Sequence, residues 1–311
     1  MHGAELMLNE KLYKPRDIPF ESIHIIPGEP ALYVSKYDAI IINDLHLGFE
    51  EALARGLDYS DKAAKYFPGM IVPRIQLKKI KESLKRIYHL VKPRRIIING
   101  DLKHAFDRLL RQERREIKDL LEFILNDLGV KDLIIIRGNH DNFLRMILRD
   151  YGLELQRELE IDIGSEKILI THGHVDVDIT GYDAVIIGHE HPSLRCFGTY
   201  KLPSFLFIPT KSGDYVIVVP AIGPYQSGTT IMSSASEYLS PIIKKHCIIE
   251  QGKPVTWLSN EDYFLTEEAL KTPLISLSSG LLSLKEYIFE TRRVIILDFS
   301  DVVTALILCG V

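Results

Sequence analysis

The sequence has few cysteines and no long apolar run, and both shortages limit the kinds of protein it can encode. Its 311 residues include three cysteines, Cys196, Cys247 and Cys309, which form no spacing motif and leave an odd thiol. We therefore predict neither a disulfide framework nor a thiolate metal site, and we expect Cys196 to be a buried apolar thiol. The longest apolar runs, including Val302–Val311, are too short to span a bilayer, and the N-terminus shows no charged-then-apolar leader. These absences predict a cytoplasmic protein without a membrane partner.

The sequence also lacks an excess of positive charge. Its formal net charge is −4, so it has no overall basic character of the kind typical of nucleic-acid-binding domains. Two bound divalent cations would bring that charge to roughly zero, because bound metal ions are often the largest local charges in a protein. The acidic balance therefore does not exclude a phosphate-containing substrate.

Five short apolar runs are present, and each ends in a turn that carries polar side chains. The runs are rich in β-branched residues without alternation, which is typical of strands covered on both faces. In open α/β sheets ligands bind beyond the carboxyl ends of the strands, so we expect the five turns to converge in one crevice. The runs and their turns are Ile40–Ile42 into Asp44-Leu45-His46, Ile96–Ile98 into Gly100-Asp101, Ile134–Ile136 into Gly138-Asn139-His140-Asp141, Ile168–Ile170 into His172-Gly173-His174, and Val185–Ile187 into Gly188-His189-Glu190-His191.

The segments between these runs predict the fold class. Apolar residues at helical spacing predict a helix over Pro73–Val91 and a second helix that ends at Gly129, which gives a β-α-β-α-β order. Hairpin signals at residues 164–166 and 210–214 add antiparallel strands. We therefore predict an α/β fold, also describable as α+β, in which two mixed β-sheets flanked by helices form a four-layer αββα sandwich.

A change of composition over Ile222–Ser236, which is rich in Gly, Ser and Thr, suggests a boundary. We assign residues 1–240 to the main domain and residues 241–311 to a C-terminal extension, which could cap the crevice or pack against the domain. The extension is expected to contain strands at Pro254–Leu258 and Arg293–Phe299 and a helix near Glu267–Lys271. It carries no recognisable motif.

The polar residues at the strand exits are carboxylates, one carboxamide and imidazoles. This mixture suits manganese, iron, cobalt or zinc and argues against copper–thiolate or iron–sulfur chemistry. Each turn alone is typical of an ordinary loop, but five such clusters at equivalent strand ends favour a metal site. Seven candidate ligands exceed what one ion usually takes from a protein, so we predict two ions bridged by one carboxylate. The candidates are Asp44, His46, Asp101, Asn139, His172, His189 and His191, with His104, His140, Asp141 and His174 nearby.

Taken together, these motifs resemble those of the calcineurin-like metallophosphoesterases. The ordered pattern Asp-x-His, Gly-Asp, Gly-Asn-His-Asp/Glu, His and Gly-His-x-His is complete between residues 44 and 191. The segments Asp44–Glu50, Gly100–His104 and Gly188–Pro192 resemble the SbcD-related and DNA-ligase-associated prokaryotic branch. His104 stands where many relatives have an acidic residue, which favours this branch over the Ser/Thr protein phosphatases. The resemblance extends to about residue 230 and does not cover the tail after about residue 240.

The resemblance implies a dinuclear centre in which Asp101 bridges two divalent ions. Manganese is the expected metal, with zinc, iron, cobalt or nickel as alternatives. Two such ions would lower the pKa of a shared water for in-line attack on phosphorus and neutralise charge on the phosphoryl oxygens. Besides the bridge, one ion would be held by Asp44, His46 and His191 and the other by Asn139, His172 and His189.

His140 is then expected to be the general acid, since it adjoins a ligand but is itself spared from the metals. The alternative is that His140 only hydrogen-bonds to a ligand. We expect His104 and His174 to support the ligands or to contact the substrate phosphate. Asp141, the other candidate catalytic residue, could orient His140 or cap the following helix at Asn142–Tyr151, and we favour the cap.

The resemblance leaves three functions open. The first is a nuclease, with DNA as the expected substrate, and the second is a phosphodiesterase for a small molecule such as a cyclic nucleotide or a nucleotide pyrophosphate. The third is a non-catalytic scaffold, in which an eroded ligand set would be expected. A basic segment with Arg108, Arg111, Arg114 and Arg115 could flank a polyanion, although such a helix face is more often simply solvated. Relatives in this branch often form homodimers, but no two-fold surface is recognisable in the sequence.

Overall fold

The computed structural model describes residues 10–57, 71–198, 200–226, 228–260 and 280–310. Within these ranges a six-stranded sheet and a larger second sheet are present. The first sheet contains β1 (Ile23–Ile25), β2 (Leu32–Val34), β3 (Ala39–Ile42), β4 (Arg95–Asn99), β5 (Asp132–Ile136) and β6 (Leu155–Gln156).

The second sheet follows in the sequence and is built mainly from the later strands. Its strands are β7 (Glu158–Asp162), β8 (Lys167–Thr171), β9 (Ala184–Ile187), β10 (Pro192–Cys196), β11 (Tyr200–Pro209), β12 (Tyr215–Val218), β13 (Thr229–Thr230), β14 (Lys253–Ser259), β15 (Leu282–Phe289) and β16 (Arg292–Phe299). The helices of the described ranges are α1 (Phe49–Ala54), α2 (Gln76–Val91), α3 (Arg111–Glu122), α4 (Arg145–Leu148), α5 (Pro241–His246) and α6 (Val302–Cys309).

The parallel strands of each sheet end side by side. In the first sheet β3, β4 and β5 are parallel neighbours, with Ile41 beside Ile97 and Ile97 beside Ile134. In the second sheet β8, β9 and β12 are parallel neighbours, with Ile170 beside Ile186. This register places the exits of β3, β4 and β5 along one edge of their sheet and the exits of β8 and β9 along one edge of theirs, as the repeated pattern predicted.

Both faces of the central strands are buried, which explains why these strands are apolar without alternation. Ile41 and Ile97 pack with Ile170 and Ile186 in a cluster that draws on both sheets. Their neighbours along the strands, such as Ile98, pack in a separate cluster with α2 and α3. A third cluster joins the outer face of the second sheet to α5 and α6. The layers therefore follow the order helix, sheet, sheet, helix, which confirms the predicted sandwich.

Helix boundaries differ from the prediction at two places. The helix predicted over Pro73–Val91 begins at Gln76 and ends at Val91, after which Lys92 adopts a left-handed conformation. The helix predicted over Asn142–Tyr151 is shorter, because α4 covers only Arg145–Leu148 before a 3-10 turn over Arg149–Tyr151.

The described part of residues 241–311 continues the second sheet. Strand β14 pairs with β11, and β16 pairs with β14, so the strands predicted at Pro254–Leu258 and Arg293–Phe299 are confirmed. Arg292 also forms an ion pair with the buried Glu29 near the start of the chain. The helix predicted near Glu267–Lys271 lies outside the described residues.

One cysteine prediction is wrong. Cys196 is not a free thiol but forms a disulfide with Cys309, at a sequence separation of 113 residues. The bond joins β10 to α6 inside the apolar cluster on the outer face of the second sheet. Spacing rules could not find it because the two cysteines come together only through the fold. Cys247 remains a buried free cysteine. No helix in the described ranges is long and apolar enough to cross a membrane.

Candidate dinuclear metal centre

The turns after β3, β4, β5, β8 and β9 bring their polar side chains together. Two groups form there, and in each group the potential ligand atoms all lie within 4.8 Å of one another. A third group of the same kind contains three histidines, of which one is shared with the first group. The groups are Asp44, His46 and His191; Asp101, His172 and His189; and His46, His104 and His140.

Asp101, a member of the second group, also approaches the first group. Its Oδ2 atom is 3.3 Å from His172 Nε2 and 3.7 Å from His46 Nε2. In the first group, Nε2 of His191 is 3.0 Å from Asp44 Oδ1 and 3.3 Å from His46 Nε2. At these distances a single cation could contact oxygen and nitrogen atoms of several residues.

Several of these atoms are buried without a hydrogen-bond partner, which is costly in a protein interior. They include Asp44 Oδ1, Asn139 Oδ1 and His172 Nε2. His191 Nε2 lies 3.0 Å from Asp44 Oδ1, at ion-pair distance. Buried oxygen and nitrogen atoms that face one another unpaired are the donors expected around divalent ions. The residues present therefore fit a dinuclear centre.

The backbone is left-handed at five of the predicted ligands. For residues other than glycine this conformation is uncommon, although Asp and His tolerate it better than most. Each such residue costs on the order of 1–3 kcal/mol, and such strain persists where the surrounding structure enforces it. The φ angles are 55° at Asp44, 48° at His46, 50° at Asp101, 66° at His189 and 44° at His191.

Two asparagines at the strand ends position the ligands, and the sequence analysis missed both. Asn43 Nδ2 donates to Asp44 Oδ2 at 2.5 Å and to the carbonyl of Val219 at 3.1 Å. The carbonyl of Asn99 accepts from His172 Nδ1 at 2.9 Å, which leaves His172 Nε2 as the atom that faces the centre. The sequence signal that could have found them is that an asparagine ends each of two apolar runs, just before the polar turn.

The role favoured for Asp141 is wrong. Its buried carboxylate does not cap the following helix but accepts from the backbone N–H groups of Asp101 at 2.9 Å, Leu102 at 2.9 Å and Gly138 at 2.8 Å. Burial and the nearby Asp101 raise the pKa of Asp141 to about 6. Asp141 therefore holds together the turns after β4 and β5, including the strained backbone at Asp101.

The motif glycines are required by close packing. A Cβ atom on Gly138 would lie 2.0 Å from Asp101 Oδ1, and one on Gly100 would lie 2.2 Å from His172 Nδ1. A Cβ atom on Gly188 would lie 2.7 Å from Asp44 Oδ2. Any larger residue at these positions would displace a predicted ligand.

Charges within the centre balance one another. Burial alone would raise the pKa of Asp101, but His172 and His46 outweigh it and hold the pKa well below its usual value. Burial opposes the charged form of His172, yet Asp101 and Asp44 raise the pKa of His172 to about 10. A proton on His172 thus offsets part of the carboxylate charge. Binding of divalent cations would displace such protons, because ligand nitrogens must be deprotonated.

The remaining histidines lie beside the two ligand groups. The His140 backbone N–H donates to Asp101 Oδ1 at 2.9 Å, and His140 Nε2 lies 4.0 Å from Asp101 Oδ2. The ring of His104 is 5.3 Å from that of His46, and the ring of His174 is 5.3 Å from that of His172. Burial and His172 lower the pKa of His174 to about 4. His104 and His140 therefore flank the first group, while His174 flanks the second.

Comparison with known protein families agrees with the fold and the ligand groups. The family model of the calcineurin-like phosphoesterases matches residues 38–181, so this part of the chain is a calcineurin-like phosphoesterase region. The match confirms the superfamily indicated by the motifs. It ends before the Gly-His-x-His turn at residues 188–191.

Several solved structures show some similarity to this chain. The nuclease MPE of Pseudomonas putida is 19% identical, with 78% of this chain and 96% of that chain covered and a TM-score of 0.49. An archaeal phosphodiesterase is 18% identical over 48% of this chain and 81% of that chain, with a TM-score of 0.31. Vacuolar protein sorting 29 of Cryptosporidium parvum is 13% identical, with 85% of this chain and 97% of that chain covered and a TM-score of 0.29. No curated protein matches the sequence at a significant level.

Proposed function

We propose that this protein is a two-metal phosphodiesterase that cleaves nucleic acid, with DNA as its substrate. One observation carries the proposal: two groups of largely buried ligands lie side by side, and Asp101 of the second group approaches both His46 of the first and His140. Together they would supply metal ligands and a proton donor for hydrolysis of a phosphodiester.

The ligand roles follow from the two groups. Asp44, His46 and His191 would hold one ion, and His172 and His189 the other with the help of Asn139, while Asp101 would serve both. When bound, two divalent ions supply an acidic water for in-line attack and positive charge for the phosphoryl oxygens. The mixed oxygen and nitrogen set suits Mn²⁺, with Zn²⁺, Fe²⁺, Co²⁺ or Ni²⁺ as alternatives.

His140 is placed to give a proton to the departing oxygen. Its Nδ1 atom donates to the carbonyl of His104, which fixes the proton on that nitrogen. Its Nε2 atom remains to take up a proton and deliver it into the centre, near Asp101. A positioned acid of this kind contributes roughly 10²- to 10⁴-fold to a reaction rate.

The tail strands that the structure describes lie to one side of the ligands. In the second sheet, β15 is five strands away from β9, which leads into the histidine turn. At roughly 4.8 Å between strands, that separation is roughly 24 Å. The described tail strands therefore extend the sheet away from the ligands and do not roof the centre.

A groove with a small excess of cations supports a polyanionic substrate. The groove lies between α2 and α3 and has a volume of about 440 Å³. Gln76, at the start of α2, donates to the carbonyl of Leu45 at 2.8 Å, which links this helix to the first ligand turn. Cations exceed acids along it: Arg74, Lys78, Lys81, Lys85 and Arg115 line it with Glu82, Glu116 and Asp119.

Hydrolysis assays on the manganese-loaded protein test this function. The substrates are bis-p-nitrophenyl phosphate and 5′-labelled single- and double-stranded DNA, and the variants are wild type and His140→Ala. Wild type should cleave both kinds of substrate. His140→Ala should lose roughly 10²- to 10⁴-fold in kcat and retain the metal content of wild type.

Two results would change the proposal. Cleavage of the small diester with intact DNA and RNA would remove the nucleic-acid substrate and favour a small phosphodiester. Absence of hydrolysis in a protein that holds two ions would favour a non-catalytic scaffold.

A further inference from the structure

Two phenylalanines beside the centre are exposed to solvent. Phe106 is 53% exposed and Phe143 is 51% exposed. They lie on the two segments that follow β4 and β5, the strands that lead to Asp101 and Asn139. A single exposed apolar side chain needs no explanation. These two differ because hydrogen bonds hold the backbone that presents them and because the ring of Phe106 contacts that of His140.

Buried charges hold the segment that carries Phe106. Lys103 is fully buried, and its Nζ atom donates to the carbonyls of Ala105 and of Arg108, the latter at 2.8 Å. Glu113, also fully buried, accepts from the backbone N–H groups of His104 at 3.2 Å and of Ala105 at 2.5 Å. An ammonium and a carboxylate placed inside the protein to bind a loop backbone make that loop rigid. Phe106 is thus exposed on a stiff support.

The segment that carries Phe143 is tied to the first one. Asn142 Nδ2 donates to the carbonyl of Phe106 at 2.9 Å. Phe143 itself has a φ angle of 68°, which is a genuine outlier for a bulky residue. Such strain persists where the surroundings enforce it, and it clusters at functional sites. The two rings are therefore carried by one connected support.

This support adjoins the proposed proton donor. The ring centroids of Phe106 and His140 are 5.7 Å apart, and the ring planes are nearly perpendicular at 88°. An apolar surface therefore lies on the side of the centre where the departing oxygen receives its proton. The chemical group attached to that oxygen is the part of the substrate that meets this surface.

We propose that Phe106 and Phe143 form a stacking platform for the nucleobase on the leaving-group side of the scissile phosphate. The inference rests on the proposed nuclease function and narrows its substrate. A base can stack on the platform only when it has left its own helical stack. Single-stranded or frayed DNA is therefore the substrate class, because stacking of bases on aromatic side chains is typical of single-strand binding.

Dinucleotides with one base missing test the platform directly. Three substrates are compared: a full dinucleotide and two analogues with an abasic sugar on one or the other side of the phosphodiester. Phe106→Ala combined with Phe143→Ala should lower kcat/KM for the full dinucleotide by roughly 10-fold. The same pair should leave kcat/KM unchanged for the analogue that lacks the leaving-group base. Phe106→Trp should retain activity, because an indole also stacks.

Ile288→Ala is the matched control, since Ile288 is 73% exposed on β15. Ile288→Ala should leave kcat/KM unchanged for all three substrates. Metal content and thermal stability of the phenylalanine variants should equal those of wild type. An equal loss on all three substrates, or no loss on any, would overturn the platform while wild-type cleavage leaves the nuclease proposal standing. If wild type cleaves only bis-p-nitrophenyl phosphate and no dinucleotide, the nuclease proposal fails, and the nucleobase platform fails with it.

Discussion

The two sheets contribute different chemistry to the centre. The first sheet supplies every predicted oxygen ligand, at the exits of β3, β4 and β5, together with His140. The second sheet supplies imidazoles only, at the exits of β8 and β9. The two groups that contain a carboxylate nevertheless draw on both sheets, since Asp44 and His46 meet His191 while Asp101 meets His172 and His189.

This division means that packing between the sheets assembles the centre. The isoleucines between the sheets set their separation, and the strained turns then direct the side chains across the gap. Neither sheet alone holds a complete group that contains a carboxylate. The support of the ligands also differs between the sheets. Asn43 and Asp141 fix the first sheet's turns from within that sheet. The second sheet's His172 and His189 depend on the first sheet, through the carbonyl of Asn99 at 2.9 Å and through Asp44 at 3.0 Å.

Asp101→Ala should have the largest effect, because Asp101 is the residue closest to both groups. We expect metal content to fall from two ions per chain to fewer than one, and hydrolysis to fall further than the roughly 10²- to 10⁴-fold expected for His140→Ala. Elemental analysis and the diester assay measure the two quantities. Asp150→Ala is the control, since Asp150 forms a surface ion pair with Lys118. Two retained ions in the Asp101 variant would show that it does not join the groups.

Gly138→Ala should weaken metal binding by the first sheet's ligands without removing any of them. The new Cβ atom would lie 2.0 Å from Asp101 Oδ1, so the turn after β5 must move and metal affinity should fall by about 10- to 100-fold. Gly164→Ala is the matched control: its Cβ would meet nothing within 4 Å, although its φ of 78° makes the substitution strained. The control should lose about 1–2 kcal/mol of stability and keep its metal affinity. Equal metal affinity in both variants would contradict the close-packing argument.

Much of the division of ligands between the two sheets could be predicted from the sequence. Runs such as Ile40–Ile42 and Ile168–Ile170 identify strands buried on both faces, and their polar turns identify the exits. The convergence of the turns follows from the geometry of parallel strands. The two-layer arrangement of sheets also follows from the change to hairpins after the crossovers.

The rest depends on contacts that local sequence does not determine. The Cys196–Cys309 bond and the pairing of β14 with β11 join residues that are distant in the chain. Asp141 was expected to cap a helix because Asp is common there, but it binds the turn after β4 instead. Nothing in the sequence shows which backbone N–H groups a buried carboxylate will find.

Acidic residues buried behind the first sheet's turns should make the stability of the folded protein depend on pH. Burial and the nearby Glu50 raise the pKa of Glu116 to about 7, although Gln112 Nε2 and the backbone N–H of Gly48 donate to it. The folded protein then binds this proton more tightly than the unfolded chain, so the contribution of Glu116 to stability declines as pH rises from about 4.5 to about 7. The change should be at most about 3 kcal/mol.

Glu116→Gln should flatten this part of the stability profile, because the amide cannot ionise. Urea unfolding at several pH values between about 4 and about 8 measures the effect. An unchanged slope in the variant would assign the pH dependence to other groups. Glu158→Gln on β7 of the second sheet provides the comparison and should leave the slope as in wild type.

The central claim is that both sheets together hold two ions. Anomalous X-ray diffraction from a manganese-loaded crystal tests it most directly, because it locates each ion. The account predicts two peaks, one among Asp44, His46 and His191 and one among His172, His189 and Asn139, with Asp101 touching both. A single peak, or a peak bound by residues of one sheet alone, would contradict it.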